Sequence, residues 1–198
     1  MGIIILGAGA LARETYDWCR NEYEIIGFYA EFADQKFLHD LPIFTDPQQI
    51  PKKSQWIMAV GNPKLMRKLS VQMKQVDIEP HPAIIHSTSR IGLHSKVGLG
   101  SICCPNSIIT CDVIVGTGTI IDTGCIVTHD CIVGDYVHLA PGTILAGGVT
   151  IEDGCELGVG AKVIPRKTIA KDSIIGAGSV VIKDMPSGTH VGVPARTL

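Results

Sequence analysis

Among the residues of this chain, His129 and Asp130 form the pair best suited to chemistry. Imidazole exchanges protons near neutral pH, and a carboxylate beside it can orient the ring and support it as a general base. The pair lies in a dense segment, Thr128-His129-Asp130-Cys131-Ile132-Val133-Gly134-Asp135-Tyr136-Val137-His138, which continues through Leu145-Ala146-Gly147-Gly148. A solvated turn tolerates His–Asp equally well, so the local residues admit both readings. A second candidate is Gly7-Ala8-Gly9, where a strand passes into a helix and free amides could receive an anion. It falls short of the full G-x-G-x-x-G because Ala12 stands at its last position, and simple strand–helix punctuation would look the same. Gly61-Asn62 ends another predicted strand, the place where α/β sheets bind ligands. His39, His86, His94 and His190 have no acidic neighbour in sequence and are expected to be solvated. His81 belongs to a joint described below.

Composition limits what these residues can serve. The formal charge is −2, so no basic surface favours nucleic acid or anionic lipid. Met1 to Leu6 is apolar but lacks a basic leader and stops at Gly7, which reads as a buried strand and not a secretory signal. No apolar run approaches the ~20 residues of a membrane span. The seven cysteines form no CxxC pair, so neither a disulfide framework nor a zinc site is expected. Reduced, packed thiols in a cytoplasmic protein without a metal are the expectation.

The positioning elements emerge from a repeat. From Ala83 to Asp184 the chain divides into 17 hexads without insertion. The third position reads Ile85, Ile91, Val97, Cys103, Ile109, Val115 and onward to Val181, aliphatic in every unit but one. Small or β-branched residues recur at a fixed offset, as in Ser101, Thr119, Cys125, Thr143 and Cys155. A period of six fits neither a helix nor a plain hairpin alternation. It fits a short strand and a turn repeated around a prism, each coil hydrogen-bonded to the next at ~4.8 Å. His129 and Asp130 fall on outward turn positions, where core packing explains no imidazole.

Residues 1–80 read differently. A strand over 2–6, a helix over 13–20, a strand over 24–29, a strand over 54–60 and a helix from Pro63 to about Gln75 alternate as a small parallel sheet. Glu79-Pro80-His81-Pro82 then imposes a stiff, extended connector. The expected organisation is a domain over 1–80, the repeat over 81–184 and a tail over 185–198.

The hexads, the Gly-rich first turn, Gly61-Asn62-Pro63-Lys64-Leu65, the His-Asp segment and the terminal Val191-Gly192-Val193-Pro194-Ala195-Arg196 together resemble one family along nearly the whole chain. It is the hexapeptide-repeat sugar acetyltransferases of the sialic-acid O-acetyltransferase and bacillosamine or perosamine N-acetyltransferase type. The resemblance implies an α/β Rossmann-like N-terminal domain followed by an all-β left-handed parallel β-helix with three hexads per coil. It also implies acetyl-CoA as co-substrate, with His129 as base and Asp130 as its orienting partner. The acceptor then attacks the thioester directly, and amides near Gly147 stabilise the oxyanion. His138, Val159 and Ala177 match positions that contact acetyl-CoA. Gly7, Gly9, Ala10, Leu11, Glu31, Gly61 and Asn62 match the side that binds a sugar or nucleotide-sugar acceptor. Three departures stand out. Tyr29-Ala30-Glu31 replaces a turn that often carries paired aspartates, Leu11 replaces a common histidine, and Asp122 replaces a common asparagine.

His129 and His138 lie nine residues apart, half of an eighteen-residue coil, and should face away from each other. If both serve one site, a neighbouring subunit supplies one of them, and a cyclic homotrimer is expected. N-acetylation of an amino sugar is the leading reading. Sugar or sialic-acid O-acetylation and a non-catalytic trimeric scaffold are the alternatives. A γ-type carbonic anhydrase uses the same prism, but its zinc-binding histidine spacing is absent. Serine acetyltransferase is a nearer enzymatic rival, although its usual helical N-terminal domain is missing here.

Overall fold

The computed structural model describes residues 2–198. The first strand, β1 (Ile3–Leu6), is apolar and completely buried, as a central parallel strand must be when both its faces are covered. It is followed by α1 (Ala10–Cys19), β2 (Ile25–Tyr29), β3 (Phe37–Leu38), β4 (Leu41–Phe44), β5 (Gln55–Met58), α2 (Pro63–Gln75) and β6 (Glu79–Pro80). They form one sheet in the order β3-β4-β2-β1-β5-β6, parallel except for the β3–β4 hairpin. Sequence periodicity does not reveal that hairpin, because Phe37–Phe44 is too short and too mixed to show alternation. Helix α1 begins three residues earlier than expected, directly after Gly9. Helix α2 starts as expected, with Pro63 at its first position and the Asn62 side chain capping the Leu65 amide.

From Ile84 to Val181 there are 17 two-residue strands, and every pairing between them is parallel. They stack into three flat faces. The first runs from Ile84–Ile85 up to Ile174–Ile175, the second from Arg90–Ile91 to Val180–Val181, and the third from Lys96–Val97 to Thr168–Ile169. Each residue pairs with the one eighteen positions away, as Ile102 does with Ile120 and Ile126 with Ile144. This is a left-handed parallel β-helix.

The turns at the corners share one backbone requirement. At every sixth residue from His94 to Gly178, φ is positive, and Gly, Asp, Asn and His occupy nearly all of these positions. Inside the prism, buried small side chains bridge coils. Ser101 Oγ donates to Gly116 O (2.8 Å) and accepts from Thr119 N (2.9 Å), so its burial leaves no polar atom unmet. Five of the seven thiols are buried within the β-helix. Burial pushes Cys103 and Cys125 up to about 12 and Cys155 to about 11, so these thiols stay protonated.

The sheet domain sits on the first face. Ile84, Ile102 and Ile120 point outward from the prism yet are fully buried, joined to the core of the N-terminal sheet. Trp56 packs against Gly100, where a Cβ would collide with its ring, and at Gly118 a Cβ would collide with the ring of Tyr136. Met58 N donates to Gly100 O, and Gly100 N donates to His81 O, so β5 and the connector are stitched to the third corner. The Ser70–Tyr136 hydroxyl contact and the Arg67–Asp172 ion pair extend the seam upward.

The segment after Lys183 closes the upper end of the prism. Thr189–Val191 extends the first face and pairs with Arg196–Thr197. His190, expected to be solvated, is instead completely buried in the column above Ile175. Its ring meets Pro186 O (2.7 Å) and Thr197 Oγ1 (3.2 Å), which satisfies both nitrogens and makes burial tolerable.

Trp56→Ala should cost about 3–5 kcal/mol, the range for deleting a buried large aromatic. Urea unfolding should show the loss, and an unchanged midpoint would mean that the Trp56 seam does not hold the halves together.

Candidate active site

His129 occupies the second corner, between the second and third faces, directly opposite the face that carries the N-terminal domain. Its backbone is pinned from both sides. His129 O accepts from Gly148 N in the coil above, and Asp130 N donates to Cys111 O in the coil below. Asp130 takes the positive φ of the corner (61°), which swings its carboxylate beside the ring. His129 Nδ1 lies 2.7 Å from Asp130 Oδ2, and both side chains are more than half exposed. With Asp130 accepting from Nδ1–H, the Nε2 lone pair is left facing outward.

Gly147 stands one coil above His129. A Cβ on it would fall 2.5 Å from Cε1 and 2.6 Å from Nε2 of the imidazole. Its φ is not in the left-handed region, so glycine is needed here for space alone. The ring's free edge therefore lies over bare backbone, where a reacting group can approach closely.

A separate cavity of about 390 Å³ opens at the carboxyl ends of β1, β2 and β5. It is lined by Gly7, Gly9, Ala10, Leu11, Glu31 and Gly61, with Tyr29, Phe32 and Val60 among the other walls. Gly9 offers α1 no side-chain cap, so the first-turn amides are left for another partner. Of the residues expected on this side, Asn62 alone is not brought to the cavity, because its Oδ1 is committed to capping α2. Glu31 reaches the wall already engaged: Lys68 Nζ and Gln72 Nε2 each donate to its carboxylate at 2.7 Å. The Lys68 contact, aided by Gln72, holds the Glu31 carboxyl below its ordinary range. Tyr29 Oη in turn donates to Gln72 Oε1. Lys68 and Gln72 lie four residues apart on one face of α2, a spacing visible in the sequence but unreadable without knowing what that face meets.

His138 faces away from His129, as the half-coil spacing requires. It stands on the first face at the upper edge of the N-terminal domain, against Gly61, whose missing Cβ makes room for the ring. Its Nε2 lies 3.4 Å from Asp122 Oδ2, and buried Asp122 also accepts from the Thr123 amide. Sequence reading noted Asp122 only as a departure and missed this pairing, which joins residues sixteen apart. Val159 and Ala177 lie exposed in one column of the first corner. A single chain thus holds two separated groups, His129–Asp130 on one side and the cavity with His138 on the other. Among the described residues, no group of three His, Cys, Asp or Glu side chains is arranged to hold a metal ion.

A left-handed β-helix with a His–Asp pair on an open corner, seated behind a small α/β domain with a Gly-rich cavity, defines a hexapeptide-repeat acyltransferase. A family model described as the PglD N-terminal domain matches residues 2–73. GDP-perosamine N-acetyltransferase of Escherichia coli O157:H7 is 30% identical over 98% of this chain and 95% of its own. PerB from Caulobacter crescentus, solved in complex with CoA and GDP-perosamine, superposes with a TM-score of 0.90 at 30% identity, covering 99% of this chain and 96% of that one. WeeI from Acinetobacter baumannii AYE gives a TM-score of 0.91 at 28% identity over the full length of both. The chain belongs to the sugar acetyltransferase family that includes GDP-perosamine N-acetyltransferase, and it is an acetyltransferase.

Gly147→Ala should lower kcat about a hundredfold, the scale expected when a reacting group is displaced by ~1 Å, while circular dichroism and melting temperature hold. Retained turnover would show that the imidazole does not need the space above it. Glu31→Gln removes the ion pair to Lys68. Because the folded carboxyl titrates below its ordinary range, the pair's contribution is complete above that range and is lost as pH falls through the lowered value. The stability gap between wild type and variant should therefore be present at neutral pH and close in acid. A gap independent of pH would rule out the pairing.

Proposed function

We propose that this enzyme transfers the acetyl group of acetyl-CoA to the amino group of a nucleotide-linked amino sugar. The observation that carries the reading is the His129 Nδ1–Asp130 Oδ2 contact of 2.7 Å on an open corner. It leaves Nε2 as a base over the bare backbone of Gly147. The acceptor nitrogen attacks the thioester carbonyl, the N–C bond forms, and His129 Nε2 takes the amine proton. The C–S bond then breaks and the imidazolium returns the proton to the departing CoA sulfur. Asp130 keeps the ring in the tautomer that can accept, and backbone amides near Gly147 stabilise the transient oxyanion. The relatives named for, or solved with, GDP-perosamine make a GDP-linked amino sugar the first acceptor to test. The Gly7–Leu11 turn, Glu31 and Gly61 are the residues that would hold its nucleotide.

The distance across the prism calls for a second copy. His129 lies opposite the first face, so the cavity, His138, Val159 and Ala177 of one chain can reach the His129 of a neighbour more readily than their own. Ile114 and Ile132 on the third face, beside that corner, are about half exposed and available to an interface. A cyclic trimer closes this arrangement with three equivalent sites. Among the described residues, no helix is long and apolar enough to cross a membrane, and the free, buried thiols suit the reducing cytoplasm where acetyl-CoA is at hand.

CoA release should be measured against GDP- and UDP-linked amino sugars, sialic acid and serine. Turnover is expected with a nucleotide amino sugar. His129→Ala should reduce kcat by about 10²–10⁴, and Asp130→Asn by less. Turnover with sialic acid alone would move the assignment to O-acetylation, and CoA binding without any dependence on His129 would sink the mechanism. Sedimentation should give three copies, and an active monomer would refute the shared site.

A further inference from the structure

The chain carries a second histidine–carboxylate pair, and the acetyl transfer described above leaves that pair without a task. His138 interrupts an apolar column on the first face. Below it stand Ile84, Ile102 and Ile120, all fully buried, and its own side chain is only 13% exposed. Its partner Asp122 is buried at the first corner. Asp122 Oδ1 accepts from the Thr123 amide at 2.6 Å, and Oδ2 lies 3.4 Å from His138 Nε2. A carboxylate only accepts, so Nε2 carries the proton and Nδ1 keeps its lone pair. Nδ1 is buried and has no hydrogen-bond partner among the described residues. It lies against Gly61, where a Cβ would come within 2.9 Å of both Nδ1 and Cε1, and Gly61 also lines the cavity. The second corner shows the same device: Asp130 holds one nitrogen of His129, and Gly147 leaves the other edge of the ring bare. An asparagine at position 122 would reverse the tautomer. Its oxygen would keep the Thr123 amide, its NH2 would face the ring, and the imidazole proton would have to move to Nδ1. With aspartate there, the partner that Nδ1 lacks is a hydrogen-bond donor.

The surroundings favour a donor that is also a cation. Glu156 follows His138 in the same column, Glu14 and Asp17 of α1 line a groove with Cys104 and Thr123, and Asp172 lies with Lys64 beside Glu156. Burial first and then Asp122 push the Cys104 thiol well above its ordinary range, so it stays neutral. Of these charged groups only Lys64 is positive. The reaction supplies such a cation. An amine flanked by electronegative ring substituents titrates near the α-amino range, ~8, so about nine-tenths of it is ammonium at neutral pH. It must lose one proton to gain a lone pair for attack and a second to become an amide, and His129 takes only the second. Asp122 stands seven residues before His129 and His138 nine after it, within half a coil, or about 2.5 Å of height. Rotation about an axis along the prism preserves height. In the cyclic assembly proposed above, the pair of one chain is therefore level with the His129 of the next.

We propose that His138, held by Asp122, removes the first proton from the ammonium group of the acceptor. An N–H bond of the ammonium breaks, its proton goes to His138 Nδ1, and the electron pair stays on nitrogen as the nucleophile. Gly61 has to shift from the ring for this contact, a movement that obstructs nothing because it carries no side chain. The imidazolium then has Asp122 as its ion partner. Attack, the second proton transfer to His129 and departure of the CoA thiol follow as described, and His138 releases its proton to solvent. Ammonium and acetyl-CoA thus give amide, CoA thiol and one proton. This inference rests on the reading of the reaction as N-acetylation at His129, since a hydroxyl acceptor loses one proton and needs no second base.

The test is the pH dependence of kcat/KM for the nucleotide amino sugar, from about pH 6 to about pH 10, in wild type, Asp122→Asn and His138→Gln. Asp122→Asn preserves size and the Thr123 contact. At neutral pH both variants should lose up to about tenfold, the limit set by the neutral fraction of an amine that titrates near ~8. The loss should close as pH rises past the titration of the free sugar's amine, followed by NMR, because the acceptor then arrives neutral. Melting temperatures over the same range separate chemistry from stability. A loss that stays constant with pH would leave the pair a structural role and overturn the inference, as would full activity of both variants at neutral pH. Nitrogen-15 NMR of wild type should show His138 protonated at Nε2 and bare at Nδ1, and the opposite tautomer would also overturn it. Wild-type turnover with sialic acid alone, or none with any nucleotide amino sugar, would overturn it together with the proposed function.

Discussion

The structure depends on one repeated interaction, the hydrogen-bonded stacking of each coil on the next at intervals of eighteen residues. A two-residue strand has no stability alone. It persists here because its amides and carbonyls are met above and below and its aliphatic residue is buried in a narrow interior. Each inward Val, Ile or Leu contributes about 1.5–3 kcal/mol by burial, and nearly every unit supplies one. A stack of this kind is held by nearest neighbours and is vulnerable at its ends. The upper end is closed by the segment around His190 and Ala195, both buried. At the lower end, Ile85, Ile91 and Val97 are only half-buried.

The same stacking gives the His129–Asp130 corner its precision. Residues eighteen apart are held one above another by main-chain bonds, so a corner behaves as a ruler on which side chains are placed at fixed heights. His129 cannot drift from Gly147, because His129 O accepts from Gly148 N in the next coil. Asp130 is aimed at the ring by the backbone conformation that the corner imposes. A site on such an edge needs no loops of its own. The Gly-rich cavity lies elsewhere, at the N-terminal sheet.

That sheet is carried on the first face as a rigid rider. Outward isoleucines that would otherwise face water are shared with its core, and Trp56 fills the groove left by Gly100. The cavity is thereby fixed relative to the prism, with Gly61 touching both the cavity and His138. The Tyr29–Gln72–Glu31–Lys68 network stiffens one wall of the cavity and neutralises its carboxylate. The cavity and the His129–Asp130 corner are thus separate rigid parts of the chain.

The sequence by itself determined the β-helix, its register and its lack of insertions. The six-residue period is local and repeated seventeen times, so each unit confirms its neighbours. It also set the outward placement of His129–Asp130 and the opposed facing of His138, since both follow from counting residues around a coil. The βαβ pattern of the first eighty residues was legible for the same reason, from apolar strands and the Asn62-Pro63 helix start. Only the tertiary structure decided which face carries the N-terminal domain, that Glu31 is held by Lys68 and Gln72, that Asp122 meets His138, and that His190 is buried. Those contacts join residues that no local period relates. They depend on how two independent units dock, and docking is fixed by shape and burial summed over a whole surface, which no short stretch of sequence contains.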